Sequence, residues 1–357
     1  MTISTTTGIL LAMKILLFSD LHFWKKTASY LEPTVSGWIN SMILDQNPDL
    51  VVFGGDLNHT HNSVDTDVLH AITRSMATVA ATAKNVTGRP LLALSGNHDT
   101  ALRGMQKNFV EALANISPHI QSITEPSLIE GILFIPYPDG SDYFAKHVEG
   151  LGEHGPDTAV VHVELSDVRY TPASDHTSDN PVTIPESVKT VLAGHYHHPE
   201  DYVVAGKKIH VIGSPCYHTY SDMVVDNPRG LVVFDTDSHT LKRFENPLGP
   251  VFHTEHAETV KTLFDREGLS RYNLRVRVDS KKQYESIQDD LEALRELCMS
   301  VRVIGKTTDV SQALVREETK TLDMKNTDEV FGAFCAKNSI TDRLKDVGKS
   351  ILTEVLS

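Results

Sequence analysis

Short apolar runs recur along the chain, and each is followed by a polar turn that often contains glycine. Unbroken apolar runs of this length are typical of strands buried on both faces of a sheet. They predict strands at Lys14–Phe18, Leu50–Phe53, Leu91–Leu94, Ile132–Ile135, Ala159–Val163, Val191–Ala193 and Ile209–Ile212, and a hairpin over residues 230–244. Helical stretches lie between the early runs, at Glu32–Asp45, Val64–Lys84 and Ala101–Asn115. The alternation predicts a layered α/β sandwich.

The pattern changes near residues 245–251, which read ENPLGPV. Beyond them a strand, an amphipathic stretch and a second strand predict a small β-α-β unit over about residues 271–305. Polar residues 306–328 predict a linker. The last segment carries an apolar stripe at helical spacing, made of Ile340, Leu344, Val347, Ile351 and Val355. Periodicity alone favours a helix that folds back on its own domain over one that docks on a partner.

The bulk composition narrows the choice of partner and compartment. The 357 residues suffice for one large domain and a smaller one. A formal net charge of −14 argues against nucleic-acid binding through bulk charge, although bound cations can reverse the sign inside a cleft. Three widely spaced cysteines fit a reducing compartment. The apolar stretch around Lys14 is too short for a membrane span and lacks the flanks of a cleaved signal, so we expect a cytoplasmic protein with no membrane association.

Five clusters rich in aspartate and histidine stand directly after predicted strands, and they read SDLHF, GGDLNH, GNHDT, VVHVE and GHYHH. Any one is weak evidence, but open α/β sheets place their sites at such strand ends, so five together indicate a shared site. On a strand, residues i and i+2 share a face. Two pairs of ligands are therefore expected, Asp20 with His22 and His195 with His197. His198 falls on the opposite face from the second pair and is expected to be a surface residue.

The clusters supply carboxylate, imidazole and amide groups and no thiolate. This set suits manganese, iron or zinc in catalytic roles rather than structural zinc. Seven candidates are too many for one ion: Asp20, His22, Asp56, Asn97, His162, His195 and His197. A carboxylate that bridges two ions about 3.5–4 Å apart accommodates all of them, and this arrangement is typical of two-metal phosphoester hydrolysis.

This motif series, D-x-H, GD, GNH[DE], H and GHxH, resembles that of the calcineurin-like metallophosphoesterase superfamily over roughly residues 14–235. The resemblance implies two mixed β-sheets flanked by helices and two divalent metal ions. The ligand sets it implies are Asp20, His22, Asp56 and His197 for one ion, and Asp56, Asn97, His162 and His195 for the other. It implies that His98 is no ligand but stabilises charge at the scissile phosphate, and we expect Asp99 to orient His98.

The stretch after Asp56 resembles the SbcD-type DNA repair nucleases. It reads GDLNHTHNSV, without the arginine that serine/threonine phosphatases carry here, and the next motif is GNHD rather than GNHE. His59 occupies the place of a histidine that those nucleases use in exonuclease action and in placing the DNA end. Asn58 departs from the usual phenylalanine. The alternative for His59 is an ordinary turn residue.

The segments VIGSPCYHTYSD and NPRGLVVFDTD resemble the end of the nuclease domain in compact phage members of that family. The layout implies a nuclease domain at 13–248, a capping domain at 249–305, a linker at 306–328 and a partner-docking helical tail at 329–357. It also implies manganese as the metal, a homodimer, and a tail that docks on the coiled coil of an SbcC-type ATPase. For the C-terminal helix, partner docking is therefore preferred over folding back on its own domain, which periodicity alone favours.

The expected function is a metal-dependent DNA exonuclease or endonuclease, the nuclease subunit of an SbcC/SbcD-like complex in DNA recombination, repair and replication. A phosphatase or cyclic-nucleotide phosphodiesterase on the same scaffold is the alternative, and a non-catalytic scaffold is the third hypothesis. Basic candidates for DNA contacts are Lys25, Lys26, Arg103, Lys107, Lys207, Lys208 and Arg229. A solvated surface charge is the simpler interpretation of each.

Overall fold

A computed structural model describes residues 12–61, 63–100, 108–137, 155–169, 181–224 and 227–305. The chain divides into two compact units, with the boundary between Phe252 and His253. Among the described residues, no helix combines the length and the apolar character that a membrane crossing requires. The predicted linker and helical tail, residues 306–357, lie outside the described residues.

The strands of the first unit are β1 (Lys14–Phe18), β2 (Leu50–Phe53), β3 (Leu91–Leu94), β4 (Ile120–Ile123), β5 (Ser127–Ile129), β6 (Ile132–Ile135), β7 (Thr158–Val161), β8 (Thr190–Ala193), β9 (Glu200–Val204), β10 (Lys207–Val211), β11 (Gly230–Asp235) and β12 (Thr240–Glu245). Its helices are α1 (Ala28–Pro33), α2 (Asn40–Gln46), α3 (Thr66–Thr87) and α4 (Phe109–Ile116). A π-helical segment, Thr34–Ile39, joins α1 to α2, and 3₁₀ turns lie at Asn97–Asp99 and Tyr220–Val224.

These strands form two six-stranded sheets in the orders β12-β11-β1-β2-β3-β4 and β5-β6-β7-β8-β10-β9. Strands β1 to β4 are parallel in the first sheet, as are β6, β7, β8 and β10 in the second. Antiparallel strands complete the edges: β11 and β12 in the first sheet, β5 and β9 in the second. The prediction of an α/β sandwich with two mixed sheets flanked by helices is confirmed.

The core explains why the central strands are apolar at every position. In β1, Ile15 and Leu17 pack in a cluster with Val160 and Leu192 of the second sheet. The alternate residues of β1, including Phe18, pack against the helices on the other face. Because the side chains of a strand alternate between faces, a strand with both faces covered must be apolar throughout.

The topology also gathers the polar clusters. Each cluster follows the carboxyl end of β1, β2, β3, β7 or β8, and these strands are parallel within their sheets. Carboxyl ends of neighbouring parallel strands open on the same edge, so the turns after them lie side by side.

The second unit is a small α+β fold. Its strands are β13 (Val251–His256), β14 (Tyr272–Val278) and β15 (Ser300–Gly305), in the order β13-β14-β15, and its helices span Lys281–Ser286 and Gln288–Leu297, with 3₁₀ turns at Ala257–Asp265 and Leu269–Arg271. Strands β14 and β15 are parallel, so the predicted β-α-β unit is present. Leu274, Val276, Leu291 and Leu294 are buried in its core.

The main differences from the predicted elements are at edges and helix ends. Strands β4, β5, β9 and β13, each at the edge of its sheet, were not predicted, because an edge strand exposes one side to water and lacks an unbroken apolar run. The helix predicted at Glu32–Asp45 is divided into α1, the π-helical segment and α2. Part of the helix predicted at Ala101–Asn115 lies outside the described residues, and α4 begins at Phe109.

Candidate metal centre

The turns at the strand ends hold their ligand candidates in an uncommon backbone conformation. The φ angles of Asp20, His22, Asp56 and His195 are 57°, 47°, 60° and 74°. Residues other than glycine rarely occupy this left-handed region, and such strain is concentrated at functional sites. The backbone of these turns therefore adopts an unfavourable conformation that sets the positions of these side chains.

Asp20, His22 and His197 form the first half of the centre. The Nε2 atoms of His22 and His197 are 2.9 Å apart. One ligand atom from each of the three residues lies within 4.8 Å of the others. Imidazole nitrogens this close either share a proton or direct their lone pairs at a common cation.

Asp56, His162 and His195 form the second half, again with one ligand atom each within 4.8 Å of the others. The Oδ1 atom of Asn97 lies 3.0 Å from Nδ1 of His195 and 3.3 Å from Nε2 of His162. Nδ1 of His162 donates to the Gly54 carbonyl at 2.6 Å. This bond fixes the tautomer of His162 and leaves its Nε2 lone pair toward the centre.

Asp56 lies between the two halves. Its Oδ2 is 3.4 Å from Nε2 of His22, and its Oδ1 is 3.4 Å from Nε2 of His162. The backbone N–H of His98 donates to the same Oδ1 at 2.9 Å. One carboxylate with a fixed orientation therefore reaches a ligand of each half, as a bridging ligand must.

Burial and neighbouring charges set the protonation of these groups. Loss of hydration lowers the pKa of His197 to about 3 and that of His195 to about 4, and it raises the pKa of Asp20 to about 7. Burial opposes charge on Asp56 and His162 as well. Their mutual attraction nevertheless holds the pKa of Asp56 below its usual range and raises that of His162 to about 9. A proton on His162 and a cation beside Asp56 would each neutralise the Asp56 carboxylate. Binding of a cation there therefore competes with protonation of His162.

The donor set fits divalent cations. Within the described part of the chain, Oδ2 of Asp20 is buried with no hydrogen-bond partner, and a carboxylate oxygen in that position is costly unless a cation is near. His22 and His197 beside it are imidazoles whose pKa values burial lowers, so they are neutral and offer lone pairs. Oxygen and nitrogen donors without thiolate suit catalytic manganese, iron or zinc.

His98 and His59 lie together beside the first half. The ring of His98 is perpendicular to that of His22, with 4.7 Å between centroids. Nδ1 of His98 donates to the His59 carbonyl at 2.7 Å. The rings of His59 and His98 are nearly parallel, at 14°, with centroids 5.6 Å apart. The structure thus brings both predicted catalytic histidines to the same side of the centre.

The expected role of Asp99 needs correction, because its carboxylate is bonded to backbone rather than to the His98 side chain. It accepts from the backbone N–H groups of Gly96, Asp56 and Leu57 at 2.9 Å each, and from that of Asn58 at 3.3 Å. Asp99 therefore ties the turn after β3 to the turn after β2. The His59 carbonyl makes the contact to His98 that we expected of Asp99.

His198 is buried and not, as predicted, a surface residue. Its Nδ1 accepts a hydrogen bond from Nη2 of Arg229 at 3.1 Å. The prediction extended strand alternation through GHYHH, but β8 ends at Ala193 and the positive φ of His195 ends the alternation.

The basic candidates for DNA contacts divide into buried and exposed groups. Arg229 is only 3% exposed, and the Nζ of Lys207 donates to the carbonyls of Pro185 and Val188, so both serve the fold. Lys25, Lys26 and Lys208 are exposed. Arg103 and Lys107 lie outside the described residues.

Sequence reasoning missed His218. Its Nε2 donates to the Asp20 carbonyl at 3.2 Å, and its ring centroid is 5.8 Å from those of both His22 and His197. Oδ2 of Asp222 accepts from the backbone N–H of His218 at 2.7 Å and so holds the turn in place. Asp20 and His218 are far apart in the sequence, and His218 belongs to none of the five clusters, so the motif series did not point to it.

One protein family and several solved structures are similar to this chain. A family model described as calcineurin-like phosphoesterase matches residues 13–199. No curated protein matches the chain. Among solved structures, an archaeal phosphodiesterase is 14% identical, with 65% of this chain and 99% of that chain covered and a TM-score of 0.35. Yfce, a phosphoesterase from E. coli, is 16% identical, with 66% and 94% covered and a TM-score of 0.34.

Proposed function

Because the chain belongs to the calcineurin-like phosphoesterase family, we propose that it is a two-metal phosphodiesterase that hydrolyses DNA. The observation that carries the proposal is the arrangement of two ligand clusters around one carboxylate, Asp56. In this proposal Asp20, His22 and His197 hold one ion, Asn97, His162 and His195 hold the other, and Asp56 bridges them. Divalent ions in such sites neutralise phosphate oxygens and acidify water.

His98 is suited to the leaving oxygen. Its Nδ1 proton is engaged by the His59 carbonyl, so its Nε2 is the nitrogen that can carry a proton to and from substrate. A proton carried on Nε2 can pass to the leaving oxygen as the P–O bond breaks. We assign His98 as the general acid, His59 as the residue that orients it, and Asp99 as the support of the turn beneath both.

A diester substrate is supported by what lies beside the centre. Gripping a phosphomonoester needs a second positive group for its extra charge. The residues after Asp56 offer Asn58 and His59 and no arginine. The resemblance of this stretch to SbcD-type nucleases is the reason to choose DNA among diesters. The same proposal includes manganese as the metal, a homodimer, a cytoplasmic location, and an SbcC-type ATPase as the partner of residues 329–357.

One observation favours the alternative, a phosphatase or cyclic-nucleotide phosphodiesterase. The net charge is −14, and two of the basic candidates, Lys207 and Arg229, are engaged within the fold. A small substrate needs no long basic groove, whereas a DNA nuclease of this charge needs help from a second copy or a partner to hold the duplex.

The test is a substrate panel with Mn²⁺ and the purified chain. It comprises labelled linear duplex, single-stranded DNA, bis-p-nitrophenyl phosphate and p-nitrophenyl phosphate. DNA degradation that His98→Ala abolishes is the expected result, and removal of one catalytic acid costs about 10²–10⁴ in rate. Turnover of p-nitrophenyl phosphate without DNA cleavage supports the alternative, and no turnover of any substrate supports the non-catalytic scaffold.

A further inference from the structure

We propose that a series of four neighbouring rings beside the metal centre, three of them stacked, binds an unpaired nucleobase of the substrate strand. The rings belong to Trp24, His59, His98 and His61, and we call them the ring stack. The inference rests on the proposed function, because the base belongs to the strand that the metal centre cuts.

The ring stack runs from Trp24 to His61. The centroids of Trp24 and His59 are 5.0 Å apart with planes at 34°, and those of His59 and His98 are 5.6 Å apart at 14°. The rings of His98 and His61 follow at 4.5 Å and 22°. The two histidine pairs are stacked, whereas the Trp24 ring is tilted against His59 and has Lys26 over it. A further planar group can extend such a series at its His61 end.

The position of the ring stack points to a ligand rather than to the core. His61 is exposed and Trp24 is half-buried, in contrast to Trp38, which is buried in the core between helices. Core packing uses apolar side chains without polar ring edges. Three imidazoles and an indole stacked at the surface are instead the side chains on which proteins stack bases.

Charge beside the stack favours a nucleotide over an uncharged planar ligand. The Nζ of Lys26 lies 4.7 Å from the centroid of the Trp24 ring, and the neighbouring Lys25 is exposed. A base on aromatic rings with lysines beside it is the combination that binds single strands without sequence preference.

The ring stack is continuous with the metal centre through His98, whose ring is 4.7 Å from that of His22. A base on the outer side of His61 would therefore be two rings from His22, through His61 and His98. Bases within a duplex are already stacked and paired, so they must be released before they can bind here. The structure thus assigns the stack to frayed ends or single strands.

Binding without metal tests this directly. A fluorescently labelled oligothymidylate and an abasic oligonucleotide of the same length are titrated with the unmodified chain in EDTA, and anisotropy is recorded. Stacking of bases on aromatic rings predicts about fivefold or more tighter binding of the base-bearing strand.

Variants separate stacking from charge and from metal binding. His61→Ala should abolish the difference between the two strands, whereas His61→Phe, which keeps a planar ring but no ligand atom, should retain it. His70→Ala on the exposed side of α3 is the matched control and should behave as the unmodified chain.

Equal affinity of the unmodified chain for the two strands overturns the proposal, and so does a loss in His61→Phe as large as in His61→Ala. Hydrolysis of bis-p-nitrophenyl phosphate with Mn²⁺, measured separately, tests the proposed function. A chain that prefers the base-bearing strand in EDTA but hydrolyses no diester keeps its base site and loses the proposed function.

Discussion

Neighbouring histidines of GHYHH have three different environments. His195 lies with Asp56 and His162, and His197 lies with Asp20 and His22. His198 is turned away from both and bonds to Arg229. His195 and His197, two positions apart, therefore lie in different halves of the candidate centre. His198, the next residue, lies outside it and makes a buried polar contact.

His198→Ala should destabilise the protein although His198 is no ligand candidate. The change leaves the buried Arg229 guanidinium without the acceptor at 3.1 Å, and loss of a hydrogen bond to a charged group costs about 1.5–3 kcal/mol. Urea unfolding measures the change, with the exposed His70→Ala as control. A midpoint for His198→Ala equal to that of the control would contradict the contact.

His218 should act as a positioning residue for the first half of the centre. His218→Ala removes the donor to the Asp20 carbonyl and frees a residue held at φ 57°, so Mn²⁺ affinity should fall about tenfold, as for other outer-shell partners of metal ligands. His218→Gln keeps an N–H donor and should restore part of the affinity. Calorimetric titration with Mn²⁺ measures both. Equal affinities for the unmodified chain and His218→Ala would show that the contact has no such role.

The residues predicted from motifs share one property: each stands within a few positions of an unbroken apolar run. Parallel topology then brings them together, so position along the chain was sufficient. His218 and the role of Asp99 depend on contacts between turns that are distant in the sequence, and no periodicity encodes them. The error at His198 has a similar cause, since strand alternation ends where the backbone becomes left-handed at His195.

At the scale of elements, glycines let the turns approach one another. Gly55 has a φ of 105°, and a Cβ there would lie 2.4 Å from Nδ1 of His162. That atom is bonded to the carbonyl of Gly54, so the side chain has no room to retreat without losing the bond. The turn after β2 therefore requires glycine for both its conformation and its closeness to β7.

Gly55→Ala should displace His162 and empty the second half of the centre, with one Mn²⁺ bound per chain instead of two. Gly88→Ala is the matched control, because Gly88 ends α3 at a φ of 71° with open space around its Cβ position. The control should lose about 1 kcal/mol of stability and no metal. Metal analysis after dialysis distinguishes the two variants, and a full complement of metal in Gly55→Ala would contradict the close contact.

The sequence predicted the central elements well, because strands covered on both faces leave an unambiguous apolar signal, as at β1, β2 and β3. The edge strand β9 carries alternating exposure and the sequence EDYVV, which gives a weaker signal. Over Glu32–Asp45 the pattern predicted one helix and did not indicate the π-helical segment that follows Pro33.

At the scale of the whole molecule, one acidic chain carries clustered histidine and aspartate side chains that could hold cations. Acidic composition and metal chemistry are compatible, because bound ions supply positive charge only where the substrate phosphate lies. The chain has a second compact unit after Phe252 with its own apolar core, and the metal centre is built entirely from residues of the first. The second unit is therefore available for roles other than metal binding.

The proposed sharing of Asp56 by two ions requires that each chain bind two of them, and the bound stoichiometry measures that number. Titration calorimetry with Mn²⁺ should give two ions for the unmodified chain and one each for His195→Ala and His197→Ala. His98→Ala should still bind two while losing hydrolysis of bis-p-nitrophenyl phosphate. A single ion bound by the unmodified chain would contradict the sharing of Asp56. Two ions still bound by both His195→Ala and His197→Ala would contradict it as well.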